Sequence, residues 1–271
     1  MPHAQSDTVS LGILSIATNV YLRYWMELAR SIDHHVRAFA PVTLHVFTDQ
    51  VAQAQEFART LKSVSVKVHE IEALRWPEAT LFRYKIFSEN QSEFSEDVLL
   101  YLDADTVINQ DLEPDLPQLI SSAGVVLVEQ AGSWRPRSFH RLLRFFLLHP
   151  GAIFQDVRKL VLEGGRGTWE KRAESTAFVP RGDRKNYVSG AVWMGTRDGF
   201  LGMVSELAAR VDTDWGKGIV AIWHDESHLN WWNARYHPTL VDPRYYFFPG
   251  QRHLDELPNI IQLIAKNEIT R

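Results

Sequence analysis

Cysteine is absent from the 271 residues, which removes disulfides, thiolate metal sites and cysteine nucleophiles together. No run approaches the roughly 20 apolar residues of a membrane-spanning helix. The polar stretch Met1 to Ser10 has no basic n-region, so the reading is a soluble, cytoplasmic chain with no signal peptide and no transmembrane span. Positive charge is in deficit: the formal net charge is −4, which provides no field for a nucleic acid and leaves any phosphate to be met by local groups. Repeats, low-complexity tracts and a separating linker are also missing. What remains is a chain 45% hydrophobic, enough for a core that needs no staples. It carries nine tryptophans, with Trp193, Trp215, Trp223, Trp231 and Trp232 among them, and aromatic faces suit sugar rings as well as cores.

The pattern predicts strands at Val9–Ile16, Val42–Thr48, Val64–Ile71, Val98–Leu102 and Val125–Val128. Helices are predicted at Tyr21–Phe39, Ala52–Lys62, Leu81–Glu89 and Leu116–Ser121. Such alternation argues an α/β fold with a doubly wound, mostly parallel sheet, in which ligands bind beyond the carboxyl ends of the strands. Val98-Leu-Leu-Tyr-Leu102 reads as a strand buried on both faces that stops in two acids, Asp103 and Asp105. Paired carboxylates at a sheet rim repel unless a cation lies between them, and hard oxygen ligands suit Mg2+ or Mn2+. A polar strand end whose acids cap a turn is the plainer alternative. Residues 133–159, rich in Arg, Phe, Leu and His, form a helical hairpin or a lid, with peripheral membrane contact as a further role. Regularity returns with a strand at Tyr187–Met194 and helices at Arg197–Val211 and Ile219–Asn233.

The last helix concentrates Trp223, His224, Asp225, Glu226, His228 and Asn230 in barely two turns. His224 and His228 at i, i+4 have the spacing of zinc-binding histidines, which gives a zinc hydrolase as one reading. However, Asp225 stands where a metalloprotease has Glu, and that reading leaves Asp103 and Asp105 without a task.

The run His-Asp-Glu-Ser-His-Leu-Asn, His224 to Asn230, resembles the signature of glycosyltransferase family 6, the family of the ABO blood-group transferases and the α-1,3-galactosyltransferase. Ile16-Ala-Thr-Asn-Val-Tyr21, Val46-Phe-Thr-Asp-Gln50, Asp103-Ala-Asp105, Thr168-Trp-Glu-Lys-Arg172 and Ser189-Gly-Ala191 agree with other family segments in the same order. The resemblance implies a single GT-A-type, Rossmann-like catalytic domain over residues 1–271. Its nucleotide- and metal-binding half would span about 9–129, its donor-sugar and acceptor half about 168–271, and a variable insertion 130–167. It implies a retaining, metal-dependent hexosyltransferase that moves galactose or N-acetylgalactosamine from a UDP-sugar. The acceptor would be the 3-hydroxyl of a terminal β-galactoside, with or without α-1,2-linked fucose, and the product an α-1,3 linkage. On this reading Glu226 is catalytic, and Asp103 and Asp105 hold Mn2+, with Mg2+ able to substitute. Ile16, Ala17, Thr18, Tyr21, Arg83 and Lys266 bind the nucleotide. Asp225, Ser189, Gly190 and Ala191, with Arg83, meet the donor sugar, while Trp223, Thr168 and His224 meet the acceptor. Animal members carry an N-terminal anchor, so the expectation here is an anchorless bacterial- or phage-type member that keeps both acids where many bacterial relatives have Asn. A retaining UDP-sugar transferase of another family is the nearest rival.

Overall fold

The computed structural model describes residues 8–36, 38–251, 254 and 257–264. Strand and helix alternate through β1 (Leu11–Ile16), α1 (Tyr21–His35), β2 (Val42–Thr48), α2 (Val51–Ala58) and β3 (Ser65–Glu70). Two short helices, α3 (Glu78–Leu81) and α4 (Arg83–Glu89), lead into β4 (Val98–Leu102), β5 (Thr106–Ile108), α5 (Leu116–Ala123) and β6 (Val125–Glu129). A helical hairpin, α6 (Phe139–Leu148) and α7 (Pro150–Glu163), precedes β7 (Val188–Thr196), α8 (Arg197–Gly216) and α9 (His224–Tyr236). The described chain closes with β8 (Thr239–Val241) and β9 (Ile261–Leu263).

Seven strands form one sheet in the order β3-β2-β1-β4-β7-β6-β8, to which both halves of the chain contribute. Only β7 runs against its neighbours, β4 and β6; every other pairing is parallel. This is the mixed α/β architecture the alternation predicts. Along β4, Val98, Leu100 and Leu102 enter one core with α1, α2 and α5, whereas Leu99 and Tyr101 enter a second with α4, α8 and α9. Burial on both faces explains why this strand is apolar without alternation. Chain order reverses between β1 and β4, so the crevice beyond their carboxyl ends is the switch point of the sheet.

Several boundaries differ from expectation. The predicted Leu81–Glu89 helix is two helices, broken at Phe82, whose φ and ψ of −92° and 7° leave the helical region. The helix expected from Ile219 starts only at His224. The main chain there is tied to side chains instead: Ile222 N–H donates to Glu170 Oε2 (2.9 Å) and Trp223 N–H to Ser227 Oγ (2.9 Å). Residues 139–163 form a helical hairpin, one of the two forms expected of 133–159, and it runs four residues further. A small two-stranded sheet pairs β5 with β9, and Ile264 N–H donates to the Asp105 carbonyl (2.7 Å), which brings the end of the described chain against the acid pair. Lys266 lies outside the described residues. No helix among the described residues is long and apolar enough to cross a membrane.

Candidate active site

The first wall of the crevice is the turn from β1 into α1. Ala17 N–H donates to Phe47 O and the Ala17 carbonyl accepts from Thr48 Oγ1, both at 2.8 Å, which locks the turn to β2. Asn19 takes a left-handed φ of 55°, its N–H donating to Asp49 Oδ1 (2.9 Å) and its amide to the Leu74 carbonyl (3.2 Å). Asparagine tolerates that backbone better than most residues. Ala17 and Thr18 are buried, Ile16 is half-buried, and Tyr21 stands exposed on the first turn of α1.

The second wall is the end of β4. Asp103 is fixed from three sides: its N–H donates to the Ala191 carbonyl (3.0 Å), Tyr101 Oη donates to its Oδ1 (2.5 Å), and Arg83 Nη1 lies 3.2 Å from the same oxygen. Asp105, two residues on, is 7% exposed. Arg83 is itself buried and braces the site, because Nη1 also donates to the Gly190 carbonyl (2.9 Å) and lies 3.2 Å from Asp225 Oδ2. Its Nε donates to the Thr80 carbonyl (3.1 Å), and the guanidinium sits 4.8 Å from the Tyr101 ring centre. One cation thereby joins Asp103, at the end of β4, to Asp225 on α9.

Gly190 is where β7 and α9 touch. Its N–H donates to Glu226 Oε2 (2.9 Å), and a Cβ at position 190 would come within 3.0 Å of Asp225 Oδ2 and 3.1 Å of Glu226 Cβ. Any larger residue there would press on both carboxylate-bearing residues of α9. Asn230 welds the same elements: its side chain pairs with both the N–H and the carbonyl of Val188 (2.8 and 2.9 Å) and donates to the Glu226 carbonyl (2.9 Å). Ser189 and Ala191 are buried, and the Ser189 hydroxyl accepts from Ala191 N–H (3.2 Å). Burial drives the Asp225 carboxyl up to about 7, with Asp103 and Glu226 adding to the rise and Arg83 opposing it. Burial also raises Glu226, against the Gly190 N–H and the Tyr187 hydroxyl, which favour its charged form. Two acids with elevated pKa values beside a fixed pair are the arrangement expected where charge is managed during a reaction.

His224, at φ 46°, turns its ring edge-on to the exposed Trp76 (5.0 Å between centres), and Trp223 is half exposed beside it. A cavity of about 540 Å³ opens here, lined by Thr168, Glu170, Arg172, Ile222 and His224. Thr168 and His224 thus line one cavity, and Trp223 is not among its lining residues. Glu170, 3% exposed, organises this wall, accepting from Arg172 Nη2 (2.7 Å), from the Arg172 N–H (2.9 Å) and from Ile222 N–H. Asp214 anchors the segment that follows, accepting from Ser175 Oγ (2.6 Å) and Thr176 N–H (2.8 Å). A separate cleft of about 400 Å³ lies between α6 and β8, lined by Arg137, Phe145, Leu240 and Arg244 among others.

The i, i+4 spacing of His224 and His228 does not make a shared metal face. His228 is fully buried, with Nε2 at 3.8 Å from Asp214 Oδ2, whereas His224 faces Trp76. Among the described residues no group of three or more His, Cys, Asp or Glu side chains converges for a metal, which a zinc hydrolase would need.

His228 and His69 are held down to about 4 by burial, from an ordinary 6.5, with His45 adding to the effect at His69. Burial opposes ionisation of Glu170, but the Arg172 side chain and backbone N–H groups bring it to about 2 from 4.5. Both kinds of group bind more protons unfolded than folded, so each stabilises at high pH and loses that contribution on acidification. Asp225, raised to about 7, works the other way, as do Glu226 and Glu129, which burial also raises. The stabilising share of His228 and His69 should be lost as pH drops from 6.5 towards 4, and that of Glu170 between 4.5 and 2, so replacing His228 should flatten the dependence of the thermal midpoint on pH in the upper window. A His228→Gln variant with an unchanged slope in the upper window would refute the assignment.

Sheet order, switch-point acids and the β7–α9 junction together define an α/β protein with a GT-A-like fold. Residues 161–268 match the model for glycosyltransferase family 6. It is 25% identical over 250 residues to histo-blood group ABO system transferase 1 of Rattus norvegicus, covering 89% of this chain and 61% of that protein. It is 22% identical over 241 residues to globoside α-1,3-N-acetylgalactosaminyltransferase 1 of Gallus gallus, covering 88% and 61%. Over 82 residues it is 33% identical to α-1,3-galactosyltransferase 2 of Homo sapiens, 30% of this chain and 24% of that one. The chain spans about 61% of the length of the first two of these relatives.

Proposed function

We propose that this protein is a retaining glycosyltransferase that moves galactose or N-acetylgalactosamine from a UDP-sugar to the 3-hydroxyl of a terminal β-galactoside, forming an α-1,3 linkage. The single observation behind this reading is Glu226, held on Gly190 N–H next to Asp225, with Arg83 linking that pair to the acids of the switch-point crevice. The relatives' names add direction, since they describe α-1,3 transfer of galactose and N-acetylgalactosamine.

In this reading uridine packs on Tyr21 and the backbone of residues 16–18. Asp103 and Asp105 suit a hard cation such as Mn2+: both contacts to Asp103 land on Oδ1, so Oδ2 would serve as ligand, and diphosphate oxygens and water would complete the set. A bound divalent ion there neutralises charge developing on the departing UDP. Lys266 is proposed to add positive charge on the diphosphate. Asp225 orients donor hydroxyls, and Ser189, Gly190 and Ala191 shape the wall against which the sugar lies. Arg83 acts by holding Asp103 and Asp225 in place. Glu226 faces the anomeric carbon, while Thr168, Trp223 and His224 hold the acceptor in the cleft beside them.

UDP release from UDP-galactose or UDP-N-acetylgalactosamine with Mn2+, with and without lactose, N-acetyllactosamine and their 2′-fucosylated forms, tests the proposal. Acceptor-stimulated release is expected with one donor, and release with neither would refute it. Asp103→Asn should abolish metal-dependent UDP binding, measured by calorimetry. Mn2+ dependence equal to that of the unaltered protein would remove Asp103 from the metal site.

A further inference from the structure

Ten of the eighteen large apolar side chains that stand exposed among the described residues lie between Phe139 and Leu162, on the α6–α7 hairpin. They are not scattered. On α6, Phe139, Leu143 and Leu147 follow at i, i+4 and i+8, which places them along one face. On α7, Ile153, Val157, Leu160 and Val161 do the same, with Phe154 beside them. The only side chain α7 buries is Asp156, and the only one α6 buries is Phe145.

The hairpin is nevertheless firmly fastened. Arg135 meets Asp156 with two hydrogen bonds (3.0 and 2.7 Å), and Arg166 adds a third at 3.4 Å. At the far end of α7, Arg181 donates to the Leu160 carbonyl (3.2 Å) and Arg184 to the Glu163 carbonyl (2.7 Å). An apolar face held outward by buried ion pairs is positioned for something outside the fold.

Charge identifies the partner. Between residues 137 and 159 stand Arg137, Arg141, Arg144, Arg158 and Lys159, against the single acid Asp156, in a chain whose net charge is −4. A second copy would present the same basic face, and a two-fold interface would set like charges against each other. A surface that is apolar in depth and anionic at its boundary satisfies both features at once. We propose that the α6–α7 hairpin docks the protein on an anionic lipid bilayer, with the apolar faces among the acyl chains nearest the headgroups and the basic side chains on lipid phosphates. Because α7 ends at Glu163, which with Thr168 and His224 lines the cleft described above, docking would bring that cleft close to the bilayer.

Co-sedimentation of the full chain with phosphatidylcholine vesicles, with and without phosphatidylglycerol, tests this at low and high salt. Binding is expected to the anionic vesicles and to weaken as salt rises. A Phe154→Ser, Val161→Ser double variant changes side chains 74% and 62% exposed, so its melting curve should match the parent while vesicle affinity falls about tenfold or more. Arg141→Glu with Arg158→Glu should lower it as much, and only towards anionic vesicles. Absence of binding, or binding unchanged in both variants, overturns the proposal. So does a concentration-dependent dimer in analytical ultracentrifugation that the apolar variant abolishes, which would assign the face to a second copy.

Discussion

Arg83→Met should destabilise the protein by about 3–5 kcal/mol, the usual cost of removing one partner from a buried ionic cluster. The guanidinium is 4% exposed and lies 3.2 Å from both Asp103 Oδ1 and Asp225 Oδ2, and no other cation meets Asp225 among the described residues. Methionine fills similar volume, so the loss would come from stranded carboxylates rather than from a cavity. Its pH dependence separates the two causes. Asp225 already titrates near 7 with Arg83 beside it, and its carboxyl must move higher without that charge. A raised native pKa means the folded state binds the extra proton, so the variant's deficit should be smaller near pH 6 than near pH 9. Urea unfolding at the two pH values measures this, and an equal deficit at both would point to packing. Arg83→Lys should recover part of the loss near pH 9, since one ammonium cannot reach Thr80, Gly190 and two carboxylates together.

The same network shows which parts of the site could be read from the chain. Asp103 and Asp105 were visible because a strand buried on both faces has no reason to end in two acids, and β4 is such a strand. The 224–230 run stood out by density of functional groups within one helix. Asp105, Ile16 and Tyr21 fell at the crevice because alternation of strand and helix already fixed where parallel strands end. Contacts that depend on distant segments left no local trace. Tyr101 donating to Asp103, Tyr187 beside Glu226, and Glu170 holding Ile222 N–H across 52 residues arise only once β4, β7 and the 168–172 segment are packed together. Arg83, expected at the nucleotide and donor sugar, is buried against Thr80, Gly190, Asp103 and Asp225, contacts with no local sequence trace. The start of α9, five residues later than the sequence pattern predicts, has a similar origin in contacts. The backbone of Ile222 is taken by Glu170, 52 residues away, and that of Trp223 by Ser227 in the first turn of α9. Gly190 is singled out by the family segment alone, whereas its tight approach to Asp225 and Glu226, 3.0 and 3.1 Å from a Cβ placed there, is visible only in the fold.

Glu226→Gln should lower turnover by about 10²–10⁴-fold while leaving UDP affinity and stability nearly unchanged. Gln keeps an amide oxygen to accept from Gly190 N–H, so the β7–α9 junction survives. Loss of a half-buried carboxylate beside Asp225 also removes a repulsion rather than a support, so the melting point should hold or rise slightly. A large fall in turnover with unchanged folding and UDP binding therefore isolates the negative charge at the anomeric centre. Retention leaves two ways to use that charge: a covalent bond from Glu226 on the β-face, or support of a short-lived oxocarbenium ion attacked on the side the UDP leaves. Glu226→Ala with azide distinguishes them. If the carboxylate is a nucleophile, azide fills its place, attacks from the β-face, and releases UDP with formation of a β-glycosyl azide. If Glu226 only steadies the cation, azide restores little and any product keeps the α-configuration. Full activity in Glu226→Gln would exclude both and move the search for the catalytic carboxylate to Asp225, whose pKa near 7 and direct contact with Arg83 make it the next candidate.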